Sequence, residues 1–121
     1  MSEFAQNSDY PWRGTKGYRD RVWLISSFRV RIIKQGIDKA GSINKLGREL
    51  GYRSRVHPGW SIRQILMGKQ AFPLERLKKL ANYLEYPLEE IMEHQASERR
   101  VTLASTRKAL QECGLYLYIP R

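Results

Sequence analysis

Two short amphipathic patterns, separated by a basic connection, constrain the fold of this chain more than any other feature. The first, SINKLGREL, opens with Ser42 and is followed by Gly51, residue types preferred at the N-cap and just beyond the C-terminus of a helix. The second, SIRQILMGK, has Ile62 and Ile65 on one side and ends at Gly68. The sequence therefore predicts two short helices that follow each other closely.

Gly47 stands inside the first pattern, although a glycine in a helix interior costs about 1 kcal/mol relative to alanine. The inward side of this helix is predicted to hold Ile43, Leu46, Gly47 and Leu50, and the outward side Asn44, Lys45 and Arg48. The glycine is understandable if another helix backbone approaches closely at that position. We therefore expect a tight backbone contact at Gly47.

The second helix is predicted to turn aromatic and polar side chains outward. These are Trp60, Arg63, Gln64 and Met67. An exposed tryptophan beside arginine and glutamine is typical of a recognition surface. The alternative is that Trp60 folds under the preceding loop as a packing anchor, and the sequence leaves both interpretations open.

Residues 19–35 repeat apolar side chains at helical spacing, with Leu24, Phe28 and Ile32 in one stripe. The pattern predicts a helix that ends at Gly36. Its outer side is predicted to hold Arg21, Arg29, Arg31 and Lys34. The segment FRVRII also alternates with the period of a strand, but the length of the whole pattern favours the helix.

The second half of the chain continues the helical patterns. The segment FPLERLKKLANYLEYPLEEIMEH predicts a leucine-rich helix that starts near Pro73 and, after a Tyr-Pro break, a short last helix. Beyond it we predict a short strand at 99–103, a helix capped by Ser105 and closed by Gly114, and a strand at 115–119. A terminal strand leaves an edge that pairs either within the chain or with a second copy.

The predicted architecture is mainly α, a bundle of about five helices with a short C-terminal α/β extension. Residues 1–17 are predicted to be a flexible N-terminal arm, 18–95 the helical domain, and 96–121 an extension that serves as a dimerisation element.

The charge is strongly positive and unevenly distributed. The 22 lysines and arginines exceed the 12 acidic residues by 10. Residues 10–79 contain 17 basic and 4 acidic residues, whereas 80–98 contain five glutamates and neither lysine nor arginine. A basic block of this kind indicates a nucleic-acid partner, although runs of charge also serve solubility.

Other function classes have little support in the sequence. Cys113 is the only cysteine, so no intramolecular disulfide is possible, and His57 and His94 lack neighbours at metal-ligand spacing. The first residues have no apolar core typical of a signal peptide, and no apolar run approaches membrane-spanning length. We expect a cytoplasmic, chromosome-associated protein that is not an enzyme and binds no metal or cofactor.

The segment from SINKLGREL to SIRQILMGKQAFPLERLKKLANYLEYPLEEI resembles the helix-turn-helix domains of the lambda-repressor-like, or Xre-type, DNA-binding family. Leu46 and Gly47 match the family's pair of leucine and small residue, and Gly68 and Lys69 match the end of its recognition helix. The resemblance covers roughly residues 19–94. It implies a lambda-repressor-like helix-turn-helix bundle.

The chain departs from the family pattern at two places. The connection between Gly51 and Ile62 is about five residues longer than the usual turn, which bears on the angle at which the recognition helix would dock. Ile43 occupies the position where family members often have a glutamine that touches a phosphate.

The resemblance implies sequence-specific binding of double-stranded DNA through the major groove, as in a transcriptional regulator. Bases would be contacted by Trp60, Ser61, Arg63 and Gln64, and phosphates by Lys45, Arg48, Arg53, Arg55 and Lys69. A homodimer formed through the C-terminal segment would read a pseudo-palindromic site. The alternatives are an architectural or chromatin-type DNA-binding protein with little sequence specificity, aided by Trp12 and Arg13, and an antitoxin-like interaction module.

Overall fold

The structure is a computed structural model that describes residues 20–96 and 103–119. This part of the chain is mainly helical, as predicted, with a small two-stranded sheet and a 3₁₀ turn at Tyr116–Tyr118. The helices are α1 (Ser26–Ala40), α2 (Ile43–Glu49), α3 (Trp60–Leu66), α4 (Leu74–Leu84), α5 (Leu88–Met92) and α6 (Leu103–Glu112), and the strands are β1 (Arg21–Val22) and β2 (Phe72–Pro73). The predicted flexible arm, with Trp12 and Arg13, lies outside the described residues.

Helix α1 is the centre of the bundle and packs against α2, α3, α4 and α6. It starts at Ser26, later than predicted, because the preceding residues are extended: Val22 pairs with Phe72 and Leu24 bridges to Gln95. The competing prediction of a strand over FRVRII is wrong, since these residues lie inside α1. The core combines the buried sides of all six helices with both strands.

Gly36 does not end α1, contrary to the prediction. The helix continues through it to Ala40, and Gly41 ends it with a φ of 104°, a left-handed conformation that favours glycine. Gly36 is buried, and a Cβ on it would lie 2.9 Å from a methyl carbon of Leu46 in α2 and 3.1 Å from one of Leu80 in α4. Glycine at this position therefore serves helix packing rather than helix termination.

The predicted position of Arg29 is wrong, because this residue lies inside the protein and not on the outer side of α1. Its side chain is 2% exposed and donates hydrogen bonds to the Thr106 hydroxyl at 2.9 Å, the Leu24 carbonyl at 3.2 Å and the Leu66 carbonyl at 3.4 Å. Burial lowers the pKa of Arg29 to about 10, so it remains protonated at neutral pH. The guanidinium thus joins α1 to the end of α3 and to α6.

The helix predictions for the middle of the chain are confirmed. The Ser42 hydroxyl caps α2 by accepting from the Lys45 amide at 3.1 Å. Helix α4 begins directly after Pro73, and the break before α5 falls at Tyr86 and Pro87. The leucines predicted for the core of α4 are buried at Leu74, Leu77 and Leu80.

The C-terminal segment differs from the predicted α/β extension. The strand predicted at 115–119 is wrong: the chain turns at Gly114, with a φ of 74°, and the amide of Leu115 donates to the Leu110 carbonyl at 2.8 Å. A 3₁₀ turn follows. Helix α6 is described from Leu103 onward, so the residues before the predicted cap Ser105 are already helical. Leu103 of the other predicted strand is therefore helical, and residues 99–102 of that strand lie outside the described part.

Helix α6 packs on α1 and contributes Ala109 and Leu110 to the core. The Ser26 hydroxyl of α1 lies 2.9 Å from the Ser105 hydroxyl of α6.

Within the described residues, no helix is both long and apolar enough to cross a membrane.

Candidate nucleic-acid interface

The connection between α2 and α3 is a loop with hydrogen bonds near its start, at its middle and at its end. Gly51 starts it with a φ of 94°, and the Tyr52 amide donates to the Gly47 carbonyl at 3.0 Å. Further along, the His57 amide donates to the Ser54 hydroxyl at 3.1 Å. These bonds hold the first residue after Gly51 and the turn from Ser54 to His57.

Two glycines lock the end of this loop against α2. A Cβ on Gly47 would overlap the carbonyl oxygen of Pro58, and a Cβ on Gly59 would lie 2.7 Å from the Ile43 carbonyl oxygen. The Asn44 side-chain oxygen accepts a hydrogen bond from the Gly59 amide at 3.0 Å. We call Gly47 and Gly59, with their backbone contacts to Pro58 and Ile43, the glycine interlock. Because α3 begins at the residue after Gly59, the interlock fixes where α3 starts relative to α2.

The prediction of a tight backbone contact at Gly47 is confirmed, but its partner is the loop backbone at Pro58 and not another helix.

Arg76 of α4 contacts the other end of the loop. It donates to the Leu50 carbonyl at 2.8 Å, and its guanidinium lies 4.5 Å from the Tyr52 ring centre. Burial raises the pKa of Tyr52, and the nearby Arg76 cation opposes the shift.

Helix α3 buries one side, as predicted, but of the four residues predicted to face outward, Gln64 and Met67 are half-buried. Ile62, Ile65 and Leu66 are fully buried, whereas Trp60 is 56% exposed and Arg63 is exposed. The exposure of Trp60 favours a surface role over the alternative of a packing anchor. Of the other residues predicted to contact bases, Ser61 and Gln64 are half-buried.

Trp60 lies between two open clefts. One, of about 310 Å³, is lined by Ile43, Asn44, His57, Gly59, Trp60, Arg63 and Tyr118. The other, of about 300 Å³, is lined by Tyr52, Arg53, Ser54, His57, Pro58, Trp60 and Ser61. Trp60 thus lines one cleft with Arg63 and the other with Ser61 and Arg53. The other residues predicted to contact DNA line neither cleft: Lys45, Arg48, Arg55, Gln64 and Lys69.

The residues predicted to contact phosphates are all exposed. Lys45 and Arg48 lie on α2, Arg53 and Arg55 on the loop, and Lys69 just after α3. Within residues 20–96 and 103–119, none of the five forms an ion pair with a carboxylate, in contrast to Lys34, whose ammonium lies 2.6 Å from Asp38. Their charges are therefore available to an anionic partner.

Sequence reasoning missed Tyr118 as a neighbour of this surface. The guanidinium carbon of Arg63 lies 5.6 Å from the centre of the Tyr118 ring. The strand predicted for LYLYI gives no reason to place Tyr118 beside α3.

His94 is half-buried, and its ring stacks on Phe28 at a centroid distance of 3.8 Å. His57 is exposed and lines both clefts. The described residues contain no group of three or more histidine, cysteine or acidic side chains placed to hold a metal ion.

No protein-family model, curated protein or solved structure matches this chain.

Proposed function

We propose that this protein binds double-stranded DNA sequence-specifically, as a transcriptional regulator of the lambda-repressor-like type, with α2 and α3 as a helix-turn-helix unit. The observation that carries the proposal is the exposed side of α3, where Trp60 and Arg63 lie near cations that form no ion pair within residues 20–96 and 103–119. A DNA duplex fits both the exposed side of α3 and the surrounding cations, because its major groove admits a helix and its phosphates are anionic.

The dimensions of α3 suit the major groove. With its side chains an α-helix such as α3 is about 10–12 Å in diameter, comparable with the roughly 12 Å width of the groove. Arg63, exposed near the middle of α3, can form paired hydrogen bonds with guanine O6 and N7. Gln64 suits an adenine edge, and Ser61 and Trp60 complete the proposed base-contacting surface.

The exposed cations around α3 supply contacts that do not depend on sequence. Lys45 and Arg48 project from α2, and Arg53 and Arg55 from the connecting loop. Each phosphate that such a residue neutralises makes binding more sensitive to salt, with a slope contribution of about 0.9 on a logarithmic scale. We assign these residues, with Lys69, to phosphate contacts.

The homodimer remains a prediction without its original basis, because the strand expected to form it is a 3₁₀ turn. A dimer would still bind half-sites about one helical turn apart. Binding to duplexes with one or two half-sites, with complex mass measured by light scattering, distinguishes one bound copy from two.

The central test is fluorescence anisotropy with random duplexes and with duplexes enriched by selection, over a series of salt concentrations. We expect Arg63→Ala to remove the preference for selected DNA, a loss of about 1–3 kcal/mol, because it deletes a base contact. Arg53→Ala should weaken binding to all sequences and reduce the salt slope by about one unit.

Lys108→Ala is the matched control, because Lys108 is an exposed cation on α6 that lines a different groove, between α1 and α6. It should leave the preference unchanged. If selection yields no preferred sequence and Arg63→Ala behaves like Arg53→Ala, the regulator proposal is wrong and the architectural alternative replaces it. Absence of duplex binding at low salt would remove both.

A further inference from the structure

Tyr118, in the C-terminal 3₁₀ turn, lies directly beside Arg63 of α3. The Arg63 guanidinium carbon is 5.6 Å from the ring centre, within the range of a cation–π contact. Tyr118 also forms part of the wall of the cleft that contains Trp60 and Asn44. The C-terminal turn therefore borders the surface that we assign to base recognition.

The turn that carries Tyr118 is held in place by the end of α6. Gly114 reverses the chain, the Leu115 amide donates to the Leu110 carbonyl at 2.8 Å, and the Tyr118 amide donates to the Leu115 carbonyl at 3.2 Å. Tyr118 is half-buried against the core, whereas the neighbouring Tyr116 is 67% exposed. The two tyrosines of one turn thus differ: one faces α3 and the other faces solvent.

We propose that Tyr118 is a positioning residue that restrains the Arg63 guanidinium for guanine recognition, an inference that rests on the DNA-binding function proposed above. An arginine side chain has many rotamers, and ordering it only upon binding reduces affinity. A guanidinium can stack on a ring while its N–H groups, which lie in the guanidinium plane, remain free for paired hydrogen bonds. Tyr118 therefore acts on specificity through Arg63 without contacting a base itself.

The test measures affinity for an enriched duplex and for the same duplex with each guanine–cytosine pair replaced by adenine–thymine in turn. The pair whose replacement no longer matters in Arg63→Ala is the one that Arg63 reads. At that pair, Tyr118→Ala should reduce the ratio of the two affinities about two- to fivefold, the range of one exposed cation–π contact. The salt slope should stay unchanged, because no phosphate contact is lost.

Two further variants separate the ring from the fold of the turn. Tyr118→Phe keeps the aromatic face and should keep the affinity ratio of the unmodified protein. Tyr116→Ala removes a tyrosine from the same turn without removing the Arg63 contact, and should also leave the ratio unchanged. Thermal unfolding of every variant shows whether any change in the ratio accompanies a change in folding.

The outcomes distinguish this inference from the proposed function. If Arg63→Ala abolishes the guanine preference while Tyr118→Ala retains it, the positioning role is overturned and the DNA-binding proposal stands. If Arg63→Ala itself changes no preference, the proposed function fails. If Tyr118→Phe lowers the ratio as much as Tyr118→Ala, or if Tyr118→Ala binds more tightly because the turn shields Arg63, the positioning role is also overturned.

Discussion

Arg29 and Arg63 are the same residue type in opposite environments. Arg29 is buried among α1, α3 and α6, and its guanidinium donates to a hydroxyl and two carbonyl oxygens. Arg63 is exposed on α3, where its described contact is the face of the Tyr118 ring. One arginine uses its donors to hold the fold together, and the other leaves its N–H groups available to a partner.

This difference shows why a count of basic residues does not locate an interface. The polar side chains between α1 and α6 bind one another, with Arg29, Ser26, Ser105 and Thr106 in one network. The surface of α2, the loop and α3 instead carries cations without such partners among the described residues. Available charge, rather than total charge, marks the candidate interface.

The comparison predicts its largest effect on stability for Arg29→Ala. The substitution leaves a cavity and removes donors from the Leu24 and Leu66 carbonyls, so we expect the free energy of unfolding to fall by about 3–5 kcal/mol. Urea unfolding measures the change. Arg31→Ala is the matched control on the same helix, because Arg31 is exposed, and it should cost less than about 1 kcal/mol. Equal costs would contradict the structural role of Arg29.

The next effect concerns the glycine interlock. Gly47→Ala places a methyl group against the backbone carbonyl of Pro58, which cannot rotate away, so we expect a loss of about 2–3 kcal/mol in stability and a displaced α3. The base preference of the folded protein should fall as well. Calorimetric unfolding and anisotropy measure the two effects separately.

Gly36→Ala is the control for the interlock, because it is another buried helical glycine. Its closest neighbours are side-chain tips of Leu46 and Leu80, which can shift, and alanine gains about 1 kcal/mol in helix propensity. We expect a net change below about 1 kcal/mol and an unchanged base preference. A cost at Gly36 equal to that at Gly47 would argue against a specific backbone contact at Gly47.

A smaller effect is expected at Asn44, whose side-chain oxygen accepts from the Gly59 amide. Asn44→Ala leaves this partly buried amide without its acceptor and should lower the free energy of unfolding by about 1–2 kcal/mol. Asn44→Asp restores the acceptor, and therefore most of the stability, but adds a negative charge beside Trp60 and Arg63. It should bind DNA more weakly than Asn44→Ala, and the reverse order would contradict the position of the interface.

Much of the fold could be predicted because the residues that determine α2, α3 and α4 lie within or next to each helix in the sequence. Ser42 caps α2, Ile62 and Ile65 face the core, and Gly47 marks a close approach, all as the sequence indicated. Arg29 could not be placed in the same way. Its burial depends on acceptors from α3 and α6 that are distant in sequence, and an outward position was the default for a charged residue.

The strand predicted for the C-terminal segment is wrong for a related reason. Alternating leucine and tyrosine in LYLYI satisfy the period of a strand, but a strand needs a partner with free backbone groups. The turn at Gly114 instead directs Leu115 to α6 and Tyr118 to α3, where side-chain packing decides the conformation. Periodicity alone does not report which neighbour a short terminal segment meets, so the Tyr118–Arg63 contact had no local signal.

The smallest effect on stability is predicted for Arg48, an exposed cation of α2 for which the described residues provide no ion pair. Arg48→Ala should change the free energy of unfolding by less than about 0.5 kcal/mol, yet reduce the salt slope of DNA binding by about one unit. Lys34→Ala is the matched control, because the charge of Lys34 is already neutralised by Asp38. Its salt slope should equal that of the unmodified protein. If both variants reduced the slope equally, DNA would respond to total charge, and the distinction between occupied and available cations would be wrong.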